Sequence, residues 1–550
     1  MGYRPWPWKP GFPANGEDPE GDPPAFILET HQRNDIAALE SALTRSFAPG
    51  WSIRPLFIEA QDESVPEDFN LSCFWELRLP GPQFHAWTES PYDLAYQIME
   101  LTNARSVEPD LPVGFNAAPD SSGGSRCEEP ISVEPTDRAW ALRSIKAPQA
   151  WHFLSQRRTS EGRDILIAQP DTGVAPHNEL IGCLELKLAA NLIEPGTPPT
   201  DPLIATLLGS PGHGTGTASV VASRGGVLAV STPPLFGTSA PGHVTGATRD
   251  AKIVPIRAIK SVVRVTQGNV AKAVYHAWRS QCHVISMSLG GLPLRALEAA
   301  LARALSDHTL IVSAAGNCVG IVVWPARYKT VISIGGTNER LTPWKGTSRG
   351  KRVDVCAPAE FVWRATRTKP TEPHDMVSGG QGTSFATAMT AGVGALWLND
   401  RRNRFIKSLP ADTWLQEAFR HCLKSTANVP KGWDTAKFGA GIVDAFRLLQ
   451  SDCGPGAVDS IVRLERERYA PQIEDICDDL QERRERLPPA SLVPRIRSLS
   501  RPDRERFGHE ILALLAQEAW FLAGTSPATA AQLKIPVLHP SKSLAVRLAG

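Results

Sequence analysis

Gly382-Thr383-Ser384-Phe385-Ala386-Thr387-Ala388-Met389 decides how this chain is read. A glycine turn delivers a hydroxyl to the start of a run of small, apolar, helix-compatible residues. A serine there sits at the positive end of a helix dipole, beside backbone N–H groups that lack intrahelical partners. Such a place favours an oxyanion. The same pattern also makes an ordinary helix N-cap, and on capping preference alone the cap is the better reading. Three segments upstream change that balance.

Ile165 to Ala168 is a short apolar run that predicts a buried strand, and the turn signal Asp171-Thr172-Gly173 soon follows. An aspartate at such a strand end is rigid and shielded from water, as the orienting member of a triad must be. Gly212-His213-Gly214-Thr215 sets an imidazole between glycines, which let the backbone approach other segments closely. A group titrating near neutrality can take a proton from serine and return it to a leaving amine. Ile311 to Ala315 is a second apolar strand, tipped by Gly316 and Asn317. A carboxamide there can donate to a developing oxyanion. Taken singly, each motif is commonplace: an aspartate that only makes a turn, a histidine in a glycine-rich loop.

Together, Asp-Thr-Gly at 171–173, Gly-His-Gly-Thr at 212–215, Ala-Ala-Gly-Asn at 314–317 and Gly-Thr-Ser-Phe-Ala at 382–386 resemble the subtilisin-like serine peptidases, the subtilases. The chain order Asp, His, Ser is the one found in subtilisin. Between these motifs the likeness continues through Trp140–Trp151, His243–Arg257, Ile285–Gly291, Trp324–Gly335 and Phe438–Ala445. The resemblance implies an α/β fold, a mostly parallel sheet with helices on both faces. It implies a catalytic set of Ser384 as nucleophile, His213 as general base and then acid, and Asp171 fixing the imidazole. Asn317 and the Ser384 backbone N–H would hold the oxyanion. Ser288, Leu289, Gly290 and Gly316 would bind substrate, the first three by pairing with an extended peptide. Gly290 would leave room for a side chain to enter the specificity pocket. Val323 stands where many subtilases carry a very small residue near the pocket base, which predicts a shallow apolar pocket. Pro170 restricts Gln169 to extended backbone, which a strand end tolerates. Cys318, next to Asn317, reads as a buried inert thiol. The calcium-loop sequences of secreted subtilisins are not recognisable, so no metal site is carried over and no cofactor is expected, with calcium the one alternative.

Composition bounds the rest. A chain of 550 residues calls for two or three domains, and an apolar fraction of 42% is enough for a large core. A net charge of +1 gives no pull toward nucleic acid or anionic membrane, and neither is expected as a partner. Met1 to Pro24 holds no apolar core of a signal peptide, and the sixth residue, Trp6, breaks a myristoylation motif. The longest apolar run, Phe385 to Leu398, is interrupted by threonine and glycine and predicts a buried central helix. Nine cysteines, an odd number with no Cys-x-x-Cys, predict reduced thiols and a cytoplasmic location. A peptidase in that compartment would need restraint from its flanking regions.

Those flanks have patterns of their own. Residues 1–24 read as a disordered N-terminus. Residues 25–112 alternate strand and helix signals in the order β-α-β-β-α-β, a ferredoxin-like unit. The helices would be capped by Asn34 with Ile36, Leu39, Leu43 and Phe47 on one face, and would span Tyr92–Leu101 with Leu94, Ile98 and Leu101 inward. This unit resembles the inhibitory propeptide of subtilases, an intramolecular partner whose tail enters the active site. Residues 113–136, rich in Gly, Ser, Pro and acids, read as an exposed linker open to self-cleavage. Residues 137–450 form the peptidase unit. Residues 451–550 read as a helical extension with Ile461, Leu464, Tyr469, Ile473, Ile476 and Leu480 at near-helical spacing and a kink at Pro471. A second helix would run from the Ser500 N-cap through Phe507, Ile511, Leu514, Leu515 and Leu522 to Gly524. These helices would pack on the chain itself; docking a protein partner is the alternative. The function that follows is a serine endopeptidase acting on protein or peptide substrates and restrained by its N-terminal unit. The competing readings are a catalytically silent peptide-binding scaffold and an esterase using the same triad.

Overall fold

The computed structural model describes residues 24–31, 36–45, 50–58, 70–80, 83–114, 135–204, 210–225, 243–262, 264–408, 414–451, 453, 468–482, 490–524, 528, 530 and 534–549. The expected disordered N-terminus, the Asn34 cap, Phe47, nearly all of the linker, Ile461 and Leu464 lie outside the described residues.

The N-terminal unit runs β1 (Ala25–Glu29), α1 (Ile36–Thr44), β2 (Ser52–Pro55), β3 (Phe74–Arg78), α2 (Pro91–Thr102) and β4 (Ser106–Pro109). Its sheet has the order β2-β3-β1-β4, with every neighbouring pair antiparallel, the ferredoxin-like arrangement. Leu39 and Leu43 are buried beneath α1, while Ile36 is exposed. On α2 the buried side is Tyr92, Ala95, Ile98 and Thr102, not the expected Leu94, Ile98 and Leu101, of which Leu101 lies open to solvent. The two stripes are adjacent on a helix, and Tyr92 and Ala95 set the one that faces inward.

The peptidase unit opens with α3 (Trp140–Ser144) and α4 (Ala147–Gln156), then builds β5 (Leu166–Asp171), β6 (Ala190–Asn191), α5 (His213–Ala222) and β7 (Lys252–Arg257). It continues through α6 (Gln267–Arg279), β8 (Val284–Met287), α7 (Arg295–Ser306), β9 (Leu310–Ala314), β10 (Ile332–Thr337) and β11 (Val355–Pro358). A hairpin of β12 (Val362–Ala365) and β13 (Val377–Gly380) leads into α8 (Thr383–Ser408), followed by α9 (Leu415–Ser425), α10 (Thr435–Phe438) and α11 (Ala445–Gln450). Among the described residues the main sheet has seven parallel strands in the order β11-β10-β9-β8-β5-β7-β6. These strands are apolar on both faces because helices cover both. α8 and α5 share one core with Ile167, Val312 and Ile334, and α6 and α7 share the other with Ala168, Ile285 and Ile311.

After β5 the chain adds a strand on one side as β7 and then returns to the other as β8. The carboxyl ends of β5, β8 and β9 therefore meet at a switch point, the place where parallel sheets hold ligands.

The C-terminal extension is α12 (Tyr469–Glu482), α13 (Val493–Ser498), α14 (Arg501–Arg506), α15 (Gly508–Leu522) and α16 (Lys542–Ala549). Pro471 sits in the first turn of α12, where its missing N–H costs nothing, so the expected kink does not occur. Ser500 does cap a helix, accepting from the Asp503 N–H, but that helix ends at Arg506. The single helix expected from Ser500 to Gly524 is two, broken at Phe507, and Ile511, Leu514 and Leu515 are buried on the second.

The expectation of reduced thiols is corrected. Cys422, on α9, and Cys453, beyond α11, are joined in a disulfide with Cα atoms 5.7 Å apart. Cys318 is disulfide-bonded as well and is not the inert thiol expected. Spacing along the chain did not reveal this, because Cys422 and Cys453 lie 31 positions apart and only folding brings them together. Cys73, Cys183, Cys282, Cys356 and Cys477 are free and buried. Among the described residues no helix is long and apolar enough to cross a membrane.

Candidate active site

Each sequence-predicted polar residue stands at an element boundary. Asp171 is the last residue of β5, His213 the first of α5, and Ser384 the second of α8. Asn317 lies three residues beyond β9. The fold brings the four together. The Ser384 hydroxyl is 3.1 Å from His213 Nε2, and His213 Nδ1 is 2.8 Å from Asp171 Oδ1. Asp171 is 1% exposed; its Oδ1 also accepts from the Thr172 N–H at 2.7 Å, and its Oδ2 from the Thr217 hydroxyl at 3.3 Å. A carboxylate so held keeps the imidazole in the tautomer whose Nε2 is free to accept from serine.

Two glycines make this approach feasible. A Cβ on Gly214 would fall against the Gly173 carbonyl, so α5 reaches the β5 turn only without a side chain there. Gly382 has φ +141°, a conformation other residues avoid, and a Cβ on it would come within 3.1 Å of Asn317 Nδ2. The Asn317 amide oxygen accepts from the Thr383 N–H (3.0 Å) and hydroxyl (2.7 Å). Those bonds fix the amide with its NH2 end toward the bare Gly382 Cα, on the side of the Ser384 N–H. The result is a pair of donors at a helix N-terminus beside the serine.

The expected substrate-binding residues surround this centre. Ser288 and Leu289 follow β8 and are buried, and the Ser288 hydroxyl donates to the Ser384 carbonyl at 2.9 Å. Val323 is fully buried between two of the others. A Cβ built on Gly290 would lie 2.5 Å from Val323 Cγ2, and one on Gly316 3.1 Å from the same methyl. The valine side chain thus occupies the gap between the 288–290 and 314–316 segments.

Sequence reasoning missed Asp201. This buried carboxylate accepts from the Thr172 hydroxyl (2.7 Å) and the Gly212 N–H (2.9 Å) through Oδ2, and from the Leu203 N–H (2.9 Å) through Oδ1. It ties the residue after Asp171 to the residue before His213. Burial pushes its pKa up to about 6 against the pull of those three bonds. The only local signal was Asp-Pro, which reads as a turn, and nothing in the sequence announces partners 29 and 11 residues away. Among the described residues no cluster of three His, Cys, Asp or Glu side chains is placed to hold a metal.

Comparison with known proteins agrees with this architecture. The Subtilase family profile matches residues 162–441. Alkaline elastase YaB of Bacillus sp. (strain YaB) is 28% identical over 312 residues, 56% of this chain and 68% of that protein. Thermitase of Thermoactinomyces vulgaris is 26% identical over 57% of this chain and 97% of its own length. Among solved structures, fervidolysin of Fervidobacterium pennivorans, a keratinolytic enzyme related to subtilisin, superimposes with a TM-score of 0.55 at 19% identity. That match covers 80% of this chain and 62% of fervidolysin, and at this identity it speaks for the fold alone.

Proposed function

The chain belongs to the subtilase family and is a subtilisin-like serine endopeptidase, and from that premise we propose that Ser384, His213 and Asp171 are its catalytic triad. The observation that carries this reading is the unbroken hydrogen-bonded path from Ser384 Oγ through His213 to the buried Asp171. Ser384 Oγ attacks the scissile carbonyl while His213 Nε2 takes its proton. The carbonyl oxygen becomes an oxyanion, held by Asn317 Nδ2 and the Ser384 N–H. His213 then protonates the leaving amine, the C–N bond breaks, and an acyl-enzyme remains on Ser384. Water, deprotonated by His213, hydrolyses that ester and restores the serine. Every step uses groups of this chain and water, and draws on no cofactor. Hydrolysis of peptides by wild type, reduced about 10⁴-fold or more in Ser384→Ala, is the expected result. Equal hydrolysis by the two proteins would overturn it.

Val323 makes the specificity pocket shallow, suited to small apolar side chains on the acyl side of the cut. The N-terminal unit acts as an intramolecular inhibitor. Supporting this, Asp110 Oδ1 accepts from the Gly268 N–H of α6 (3.0 Å) and Glu108 Oε2 from the Arg295 N–H of α7 (2.8 Å), two helix N-termini capped in succession. The strand then leaves β4 toward the substrate-binding segment, where the Val113 carbonyl would lie 2.9 Å from a Cβ on Gly291.

Location belongs to the same proposal. The cytoplasm was expected on the strength of nine reduced thiols, and the Cys422–Cys453 bridge supports an oxidising compartment instead. Alkylation of natively expressed protein without reductant is expected to leave Cys422 and Cys453 unmodified. Free reaction of both after denaturation would contradict it.

A further inference from the structure

Apolar side chains from all three parts of the chain share one continuous core. It contains Phe74 of the N-terminal sheet, Val274 and Leu301 of the peptidase helices, and Ile476, Ile511 and Leu515 of the extension. The N-terminal sheet lies on α6 and α7: Glu76 on β3 pairs with Lys272 on α6 at 3.1 Å, and Phe57 packs on Tyr275. This face alone is what the inhibitor reading above requires. A further set of contacts joins the N-terminal unit to the C-terminal helices.

Three of these contacts involve buried polar atoms with defined partners. Tyr469, at the start of α12, donates its hydroxyl to Glu108 Oε1 at 2.7 Å, on the carboxylate that caps α7 through Oε2. The Arg295 guanidinium lies 4.0 Å over the Tyr469 ring, so one tyrosine touches both the N-terminal unit and the peptidase unit. His509 on α15 bridges in the same way. With its proton on Nε2 it donates to the Pro293 carbonyl (2.9 Å) and accepts at Nδ1 from the Tyr92 hydroxyl of α2 (2.8 Å). Beside it, Tyr96 donates to the fully buried Glu510 at 2.8 Å. At the rim, the Lys542 N–H binds Asp93 at 2.8 Å. The extension is itself anchored to the peptidase unit by the buried pair Arg327–Asp479, 2.8 Å apart.

We infer that the C-terminal helices and the peptidase unit together form a composite receptor for the N-terminal unit, so that cutting the linker alone does not release it. This rests on the inhibitor reading for its consequence, but not for its geometry. Buried hydrogen bonds to a carboxylate and to an imidazole hold β4 and α2 in addition to the contacts that α6 and α7 make. Losing either partner would leave the other buried and unpaired. Release then requires the extension to move or to be removed.

The test uses the full chain carrying Ser384→Ala and a recognition sequence for an added peptidase within residues 115–134. After nicking, the N-terminal fragment is expected to co-elute with the remainder in native size-exclusion chromatography. Tyr469→Phe and Tyr92→Phe each remove one oxygen atom and keep the ring, and each is expected to speed fragment release about tenfold or more. Circular dichroism and thermal unfolding of the un-nicked variants check that they are folded. If release is as fast in wild type as in both variants, or if His509→Gln alone releases no faster, the composite receptor is wrong. Peptidase activity of nicked chains with Ser384 intact separates the two readings. A fragment that stays bound to an active enzyme would refute inhibition and leave the receptor standing.

Discussion

Val323 is the residue we propose to set what this peptidase accepts. Its methyl groups fill the space that Gly290 and Gly316 would otherwise open. Val323→Gly removes that plug and should let a large apolar side chain enter. Burying such a side chain contributes roughly 1.5–3 kcal/mol, so kcat/KM for peptides with Phe before the cut should rise about 10- to 100-fold relative to Ala. An unchanged ranking of peptides would show that the pocket lies elsewhere. The position was readable in the sequence because Trp324-Pro325 fixed its place relative to Asn317. Asp201 was not readable. Its two functional partners, Thr172 and Gly212, become neighbours only when β5 and α5 meet. A loop aspartate has no periodicity to give it away.

At the scale of elements, two acids of the N-terminal unit cap two helix N-termini of the peptidase unit. Asp110 is buried, and burial raises its pKa to about 6 although its bond to the Gly268 N–H lowers it. A carboxyl whose folded pKa is raised holds its proton more tightly when folded. Its contribution to stability is present below its ordinary value near 4 and is lost as pH rises through about 6. Asp110→Asn keeps an acceptor for Gly268 without the titration. Thermal unfolding should therefore show the wild type losing stability relative to Asp110→Asn between about pH 4 and pH 6, whereas parallel curves would contradict it. Glu76 acts in the opposite sense, its contribution present above about 4.5 and lost as pH falls toward 2. Burial opposes its charge, but Lys272, Arg78 and Arg54 outweigh it and hold the carboxyl at about 2. The strands and helices of this unit were legible from alternation and helical spacing. The inward face of α2 was not, since Leu94 and Leu101 look as apolar in sequence as Tyr92 and Ala95. Packing of α2 on β4 and α1, with Tyr92 reaching His509, decides which stripe is covered.

The whole molecule is a peptidase held between two flanking units that also touch one another. Four short motifs in order carried the likeness to subtilases, and that likeness implied the parallel sheet and the meeting of Asp171, His213, Asn317 and Ser384. The joint between the flanks was not foreseeable. Tyr469 and Glu108 are 361 residues apart, and a tyrosine beginning an amphipathic helix carries no sign of its partner. The break at Phe507 was hidden for a similar reason: Gly508 is small enough to let α15 press against the Tyr469 ring, a tertiary demand that helical spacing does not express. The measurement that goes straight to Ser384 is intact-mass spectrometry after reaction with a fluorophosphonate, on wild type and Ser384→Ala freed of the N-terminal unit. One adduct per wild-type chain, located on Ser384 and accompanied by complete loss of peptide hydrolysis, is the expected result, with none on Ser384→Ala. A folded wild-type chain that neither takes the label nor cleaves peptides, or a label that persists in Ser384→Ala, would contradict the assignment.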